Sequence, residues 1–199
     1  TYSVIDGKGG ANTYTVSLNI NAIPVAANAS NTLNEDTPIT GNLPPATDAD
    51  GDKVTYALET DASNGSVTVN ADGSYSYAPY TNFHGSDSFT YSVNDGKGGT
   101  NSYVVDLTIE SVNDAPISFG LIAKSSSTSS INGVISGYIS GALSAYDPEG
   151  DPISWKVVTQ PSQGILQLNN DGSFTYQVRG LYGGASFDYE ISDSMNSNV

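Results

Sequence analysis

The chain contains no cysteine, which excludes disulfide staples, thiolate metal sites and a cysteine nucleophile. It has a single histidine, His84, in the stretch Phe83-His84-Gly85, which reads as an exposed turn residue. With no second histidine and no partnered nucleophile, a catalytic triad has no members, and the chain reads as a non-enzyme. Apolar runs of the roughly 18 residues needed to span a bilayer are missing. So is positive charge: 6 lysines and arginines stand against 21 acids, for a formal net charge of −15. A chain so charged repels nucleic acid and anionic lipid and attracts cations. Helix formers are also sparse, with few leucines and 1 methionine.

In their place are 13 tyrosines, 21 glycines and an abundance of Ser, Thr and Asn, a composition of strands and turns. The decapeptide TYSVIDGKGG at Thr1–Gly10 returns as TYSVNDGKGG at Thr90–Gly99, with nine of ten residues identical. Asp48 maps to Asp147, and Asp72-Gly73 to Asp171-Gly172. A period of about 90 to 100 residues is that of a whole β-sandwich, not of a solenoid unit. The chain therefore divides into residues 1–22, the last two strands of a preceding repeat; 23–112, a complete repeat; and 113–199, a degenerate repeat lacking its final strand. Because it begins inside a repeat and shows no signal peptide, it reads as a piece of something longer.

Period-2 alternation supports the strands. Apolar residues alternate at Tyr14, Val16, Leu18 and Ile20, and again at Tyr103, Val105, Leu107 and Ile109. The same holds at Val54-Tyr56-Leu58, Val67-Val69, Tyr75-Tyr77 and Phe89-Tyr91-Val93. The last repeat answers with Ile153-Trp155-Val157, Leu166-Leu168, Phe174-Tyr176-Val178 and Phe187-Tyr189-Ile191. Asn64-Gly65, Asp72-Gly73, Asp95-Gly96 and Asp171-Gly172 mark turns between them. The serine-rich stretch Lys124–Ser130 reads as a surface loop or an irregular edge.

Read in order, Asn34-Glu35-Asp36-Thr37, Asp48-Ala49-Asp50-Gly51-Asp52, Asp72-Gly73-Ser74-Tyr75, Asn94-Asp95-Gly96-Lys97-Gly98-Gly99 and Val112-Asn113-Asp114-Ala115-Pro116 carry a family signature. The chain resembles the tandem cadherin-like (VCBS/bacterial Ig-like) repeats of large bacterial surface adhesins. The resemblance covers the whole chain and is most specific over residues 23–116. It implies an all-β fold of tandem Ig/cadherin-like Greek-key β-sandwich domains in an elongated rod, an extracellular or cell-surface location, and a structural, adhesive extender role.

The acids point to a metal. Asp48, Asp50 and Asp52 are spaced two apart in a loop whose carboxylates converge. Two carboxylates about 4 Å apart repel by roughly 1 kcal/mol in water and by more near a protein surface. A divalent cation reverses that cost, and an all-oxygen donor set selects Ca²⁺. An EF-hand is excluded, because the sixth loop position is Lys53 instead of glycine and Val54–Leu58 is strand-like. The cadherin resemblance implies instead calcium shared at a junction: Glu35 or Asp36 at the base of the complete repeat, Asn113 and Asp114 as linker, Asp147 and Glu149 as the next repeat's loop, and Asp193 closing the site. The earlier junction, Asn21-Ala22-Ile23-Pro24, has no linker acid, so calcium there depends on Asp48, Asp50 and Asp95 and is expected to be weaker.

The expected partners are neighbouring repeats of the same polypeptide. Two alternatives stand beside the extender reading. Residues 11–20 supply the strand that the last repeat lacks, which suggests strand exchange between copies into a filament. The tyrosines and Trp155 suggest a carbohydrate-binding module for cell-surface polysaccharide, although most of them fall on core positions.

Overall fold

A computed structural model describes residues 1–131, 134–180 and 184–193, and these form strands, turns and loops. Among them no helix is long and apolar enough to cross a membrane. The chain separates into two compact units, Thr1–Glu110 and Ser111–Val199.

The first unit opens with an antiparallel hairpin of β1 (Tyr2–Ile5) and β2 (Ala11–Tyr14). Its turn explains the repeated decapeptide. Asp6 Oδ1 accepts the Lys8 and Gly10 N–H groups at 2.8 and 3.0 Å, while Gly7 and Gly9 adopt φ of 73° and 94°. At the second copy Asp95 Oδ1 accepts the Lys97 and Gly99 N–H groups at 2.7 and 3.0 Å, and Gly96 and Gly98 have φ of 72° and 104°. One aspartate and two glycines in left-handed geometry are what this turn requires.

The remaining strands of the first unit are β3 (Ala29–Asn34), β4 (Ile39–Asn42), β5 (Thr55–Thr60), β6 (Gly65–Val69), β7 (Ser74–Pro79), β8 (Gly85–Asn94) and β9 (Thr100–Glu110). They form two sheets, ordered β3-β9-β8-β5 and β4-β7-β6. All pairs are antiparallel except β3 with β9, which run parallel from Ala29↔Val105 to Asn34↔Glu110. Alternation on the long strands drives this arrangement. Phe89, Tyr91 and Val93 on β8 and Val105, Leu107 and Ile109 on β9 are buried against Tyr75 and Tyr77 of the facing sheet. The buried tyrosines keep their hydroxyls paired: Tyr91 donates to the Ala27 carbonyl at 2.6 Å and Tyr77 to Asp87 at 3.0 Å.

The expected strand through Val16, Leu18 and Ile20 is not formed. β2 ends at Tyr14, and those three side chains are exposed. The equivalent β9 runs to Glu110 because β8 and β3 hold it from both sides, whereas β2 pairs with β1 alone. A two-stranded ribbon is marginal in water.

The second unit has a four-stranded sheet of β10 (Ile117–Ile131), β11 (Val134–Tyr146), β14 (Ser173–Gly180) and β13 (Ile165–Leu168), and a pair formed by β12 (Ser154–Thr159) and β15 (Asp188–Ser192). Leu143, Leu166 and Phe174 centre its core, with Trp155, Val157, Phe187 and Tyr189 packed around them. Trp155 takes the place of Tyr56, as the repeat suggests. Each ring lies over the glycine of an Asp-Gly turn, so that a Cβ at Gly73 would stand 3.1 Å from Tyr56 and one at Gly172 3.2 Å from Trp155. The Lys124–Ser130 stretch is not a loop. It lies in β10, paired with β11, and of its two expected descriptions the edge is what the structure has. The register shifts of β10 fall before the stretch, at Ser118/Gly120 and Leu121/Ala123, and from Lys124 to Ile131 the pairing is continuous, so the edge is regular there. No apolar alternation announces it, because Lys124, Ser126, Ser127 and Thr128 are all exposed.

Asp87 is a polar keystone of the first unit. Its carboxylate accepts N–H groups from Ser63 at 3.0 Å, Asn64 at 2.9 Å and Ser88 at 2.9 Å, besides the Tyr77 hydroxyl. Burial pushes its pKa up, but these donors outweigh burial and hold it below the ordinary value. Asp72 and Asp171 are lowered as well, first by the hydroxyls of Ser74 and Ser173, and Asp6 and Asp95 by the turn N–H groups. A depressed folded pKa stabilises the fold above the unfolded value of about 3.9, and that stabilisation disappears as pH falls through the folded value. Melting temperatures followed by circular dichroism should therefore be level from about pH 7 to 5 and fall below about pH 4. Asp87→Ala should flatten part of that acid slope; an unchanged slope would remove Asp87 from the account.

Candidate metal centre

Each unit carries an acidic loop between its second and third sandwich strands, built the same way. In the first, Asp48-Ala49-Asp50-Gly51-Asp52, the Gly51 N–H reaches the Asp48 carbonyl at 3.2 Å with Gly51 at φ 79°. Asp48 Oδ1 accepts the Asp50 and Asp52 N–H groups at 2.8 and 3.4 Å. In the second, Asp147-Pro148-Glu149-Gly150-Asp151, the Gly150 N–H reaches the Asp147 carbonyl at 3.0 Å with φ 82°. Asp147 Oδ1 accepts the Glu149 and Asp151 N–H groups, both at 3.1 Å. The first aspartate thus folds the loop with one oxygen and leaves the other free to face inward.

The entry segment of each unit is stitched to its loop by matching bonds. In the first unit Asn21 Nδ2 donates to Asp95 Oδ2 at 2.6 Å and the Ala22 N–H to Asp50 Oδ2 at 2.7 Å. In the second, Asn113 Nδ2 donates to Asp193 Oδ2 at 3.0 Å and the Asp114 N–H to Glu149 Oε2 at 2.9 Å. Asn113, Asp114, Asp147, Glu149 and Asp193 therefore converge within the second unit, and Asp48, Asp50 and Asp95 within the first. Glu35 and Asp36 occupy a different turn of the first unit. The Glu35 N–H donates to the Glu110 carbonyl at 2.9 Å, its carboxylate lies 3.7 Å from His84 Nδ1, and Asp36, at φ 57°, accepts the Asn82 N–H at 3.1 Å.

The electrostatics of the two loops differ. Asp48, Asp50 and Asp52 each bring a carboxylate oxygen within 4.8 Å of the others. Asp95, 5 % exposed, has its pKa lowered first by the Lys97 N–H and then by Asn21 and Gly99. A Cβ on Gly99 would stand 2.2 Å from Asp95 Oδ2, so only glycine leaves room for that carboxylate. Lys97 Nζ sits 2.5 Å from Asp52 Oδ1. Asp147 is just 7 % exposed, and among the described residues no ammonium or guanidinium pairs with it, with Glu149 or with Asp193.

The residues fit a hard cation on one observation in particular. Buried side-chain oxygens without a hydrogen-bond partner include Asp48 Oδ2 and Asp52 Oδ2 in the first loop, and Asn113 Oδ1, Asp147 Oδ2 and Glu149 Oε1 in the second. Desolvated oxygens left without a donor cost about 1–3 kcal/mol each, and more when charged. All five belong to the acidic loops and the entry asparagine, and all are of the type that Ca²⁺ takes.

Sequence reasoning missed three participants. Asp52 was visible in the triplet but was not placed among the ligands. Asn21 was weighed for the acid its neighbour lacks, although its amide does the same work as that of Asn113. Lys97 follows the Asp95-Gly96 turn mark, and the DGKGG spacing that returns its side chain to Asp52 has no simple pattern signal.

A family model described as bacterial Ig domain matches residues 21–108 and 113–199. Among curated proteins, Integrin beta-like protein E of Dictyostelium discoideum is 29 % identical over 134 residues, 65 % of this chain and 6 % of that protein. Among solved structures, human protocadherin-24 EC1-2 aligns at 16 % identity and a TM-score of 0.46, covering 87 % of this chain and 94 % of that one. Protocadherin Gamma B2 extracellular cadherin domains 1-5 aligns at 16 % and 0.47 over 83 % of this chain and 34 % of that one. An endo-fucoidan hydrolase of glycoside hydrolase family 107 aligns at 18 % and 0.42 over 88 % of this chain and 27 % of that one. The chain spans a small fraction of the curated relative's length, and these structural likenesses fall below 0.5.

Proposed function

The chain belongs to the bacterial Ig domain family, in two tandem copies, and from that premise we propose that it is a structural, adhesin-type segment of an extracellular protein. It acts by spacing and stiffening, without catalysis, and calcium held by the acidic loops rigidifies each entry segment against its unit. The supporting observation is the wiring repeated in both units, above all the buried Asp147 Oδ2 with no donor. When bound, calcium would supply charge neutralisation and coordination to Asn113, Asp147, Glu149 and Asp193. These residues already hold the loop and the entry segment together through the Asp114 N–H and the Asn113 amide.

Extracellular modules bind calcium at about 10⁻⁴ to 10⁻³ M. At 10 mM calcium that affinity is worth about 1.4–2.7 kcal/mol, or roughly 6–20 °C of melting temperature for a domain of this size. Trp155 is the single tryptophan and lies in the second unit, so its fluorescence isolates the relevant transition. A rise of that order over EDTA is expected; superimposable melts would remove calcium from the reading.

One feature favours a second role. Phe119 and Tyr146, 65 % and 47 % exposed, stack with ring centroids 5.5 Å apart. Such a surface suits the apolar face of a sugar. Retention on insoluble polysaccharide that Phe119→Ala abolishes would support it.

A further inference from the structure

The two loops share geometry but not their counter-ion. In the first unit Lys97 Nζ lies on Asp52 Oδ1. In the sequence Asp193 is followed by Ser194-Met195 where Asp95 is followed by Gly96-Lys97, so no lysine stands at the matching position. The second unit leaves Asp147 Oδ2, Glu149 Oε1 and Asn113 Oδ1 buried and without donors, and the first, even with Lys97 on Asp52 Oδ1, leaves Asp48 Oδ2 and Asp52 Oδ2 so. A bound ammonium and a divalent ion compete for the same carboxylate oxygens, and each repels the other when both are near.

We propose that Lys97 is the resident cation of the first unit's acidic loop, tethered to the place a divalent ion takes in the second, so that calcium loads the second unit first and the first only at higher concentration. The proposal rests on the calcium reading above and adds to it a residue that sets which unit responds. The physics is that of a competing charge at fixed effective concentration. The Lys97 side chain is 60 % exposed, so the ammonium can be displaced into water and its grip is modest. It lowers the loop's net charge from that of three carboxylates to two, reducing both the apo repulsion and the attraction for a second cation. The DGKGG turn fixes the distance: Asp95 folds it through the Lys97 and Gly99 N–H groups, and the side chain leaving that turn reaches Asp52.

The test is a calcium chloride titration of the full chain followed by amide resonances in ¹H–¹⁵N spectra. Asp114, Glu149 and Asp151 report the second unit, and Asp50, Gly51 and Asp52 the first. In the unmodified chain the second unit's midpoint should come at lower calcium. Lys97→Met should lower the first unit's midpoint by roughly tenfold, the scale expected on removing one solvent-screened charge a few ångströms from a divalent ion, and leave the second unit's unchanged. Lys97→Arg, which keeps the cation, should titrate like the unmodified chain. A second unit that binds while Lys97→Met leaves the first unit's midpoint where it was overturns the role of Lys97 and spares the calcium reading. A first unit that fills before the second in the unmodified chain also overturns it. If no amide in either unit responds in any variant, the calcium reading itself falls and this proposal with it.

Discussion

Replacing Asp147 with asparagine is expected to lower the melting temperature in calcium and to leave it unchanged or raise it in EDTA. The substitution is nearly isosteric. Its side-chain carbonyl can still accept the Glu149 and Asp151 N–H groups that Asp147 Oδ1 now takes at 3.1 Å, so the loop keeps its fold. What is lost is the negative charge on a side chain that is 7 % exposed and whose second oxygen has no donor. Without calcium that charge is a liability: it is desolvated, and Glu149 shares the loop. Removing it should leave stability unchanged or raise it by up to about 1 kcal/mol. In 10 mM calcium the same change deletes a ligand, and the roughly 1.4–2.7 kcal/mol of linkage should largely vanish. Trp155 fluorescence melts of both proteins in both media would therefore cross. A purely structural aspartate, there only to fold the loop, would produce shifts of the same sign and size in each medium, and that result would end the calcium assignment in the second unit.

This crossing also separates two readings of Asp-rich turns that the sequence alone left open. Aspartate bonds its own backbone two residues on, with or without metal. Asp72 and Asp171 do this, each with its carboxylate satisfied by the following serine. Asp48 and Asp147 do so with one oxygen while the other stays buried and unmatched. Spacing makes the two kinds of turn look alike, and burial distinguishes them.

The same contrast describes how far the sequence reaches. Strands two-sided in character were legible: Phe89-Tyr91-Val93 and Val105-Leu107-Ile109 alternate because one face meets the core and the other water. Repetition made Asp147, Glu149 and Asp193 legible too, since each stands where the first repeat has an acid. The β10 strand was hidden because Lys124, Ser126, Ser127 and Thr128 are all exposed and so carry no apolar period. The end of β2 at Tyr14 was hidden for another reason: alternation records what a strand can pack against, and Val16, Leu18 and Ile20 have no neighbouring strand here. Lys97 lay beyond reach because a long side chain from a turn can meet any of several acids, and only the fold selects Asp52.

Deleting one ring from the first unit's core should cost more than any change at the loops. Phe89 is 1 % exposed and its ring lies 5.5 Å from that of Tyr75 on the facing sheet. Phe89→Ala removes the buried area and leaves a void between two sheets whose backbones are fixed by the β8–β9 ladder in one and the β4–β7 and β6–β7 ladders in the other, so little collapse can offset it. The expected loss is about 3–5 kcal/mol, enough to lower this unit's melting temperature by roughly 15–30 °C. The matched control is Phe119→Ala in the second unit, the same chemical deletion at a ring that is 65 % exposed, where a change within about 0.5 kcal/mol is expected. In urea unfolding Trp155 fluorescence reads the second unit and far-ultraviolet circular dichroism reads both, so the transition seen by dichroism without a fluorescence change is that of the first unit, which has no tryptophan. Equal losses from the two deletions would mean that Phe89 does not sit in a closed core. The acidic loops depend on such cores: they hold their oxygens out of water because the strands on either side are anchored by rings such as Phe89 in one unit and Phe174 in the other.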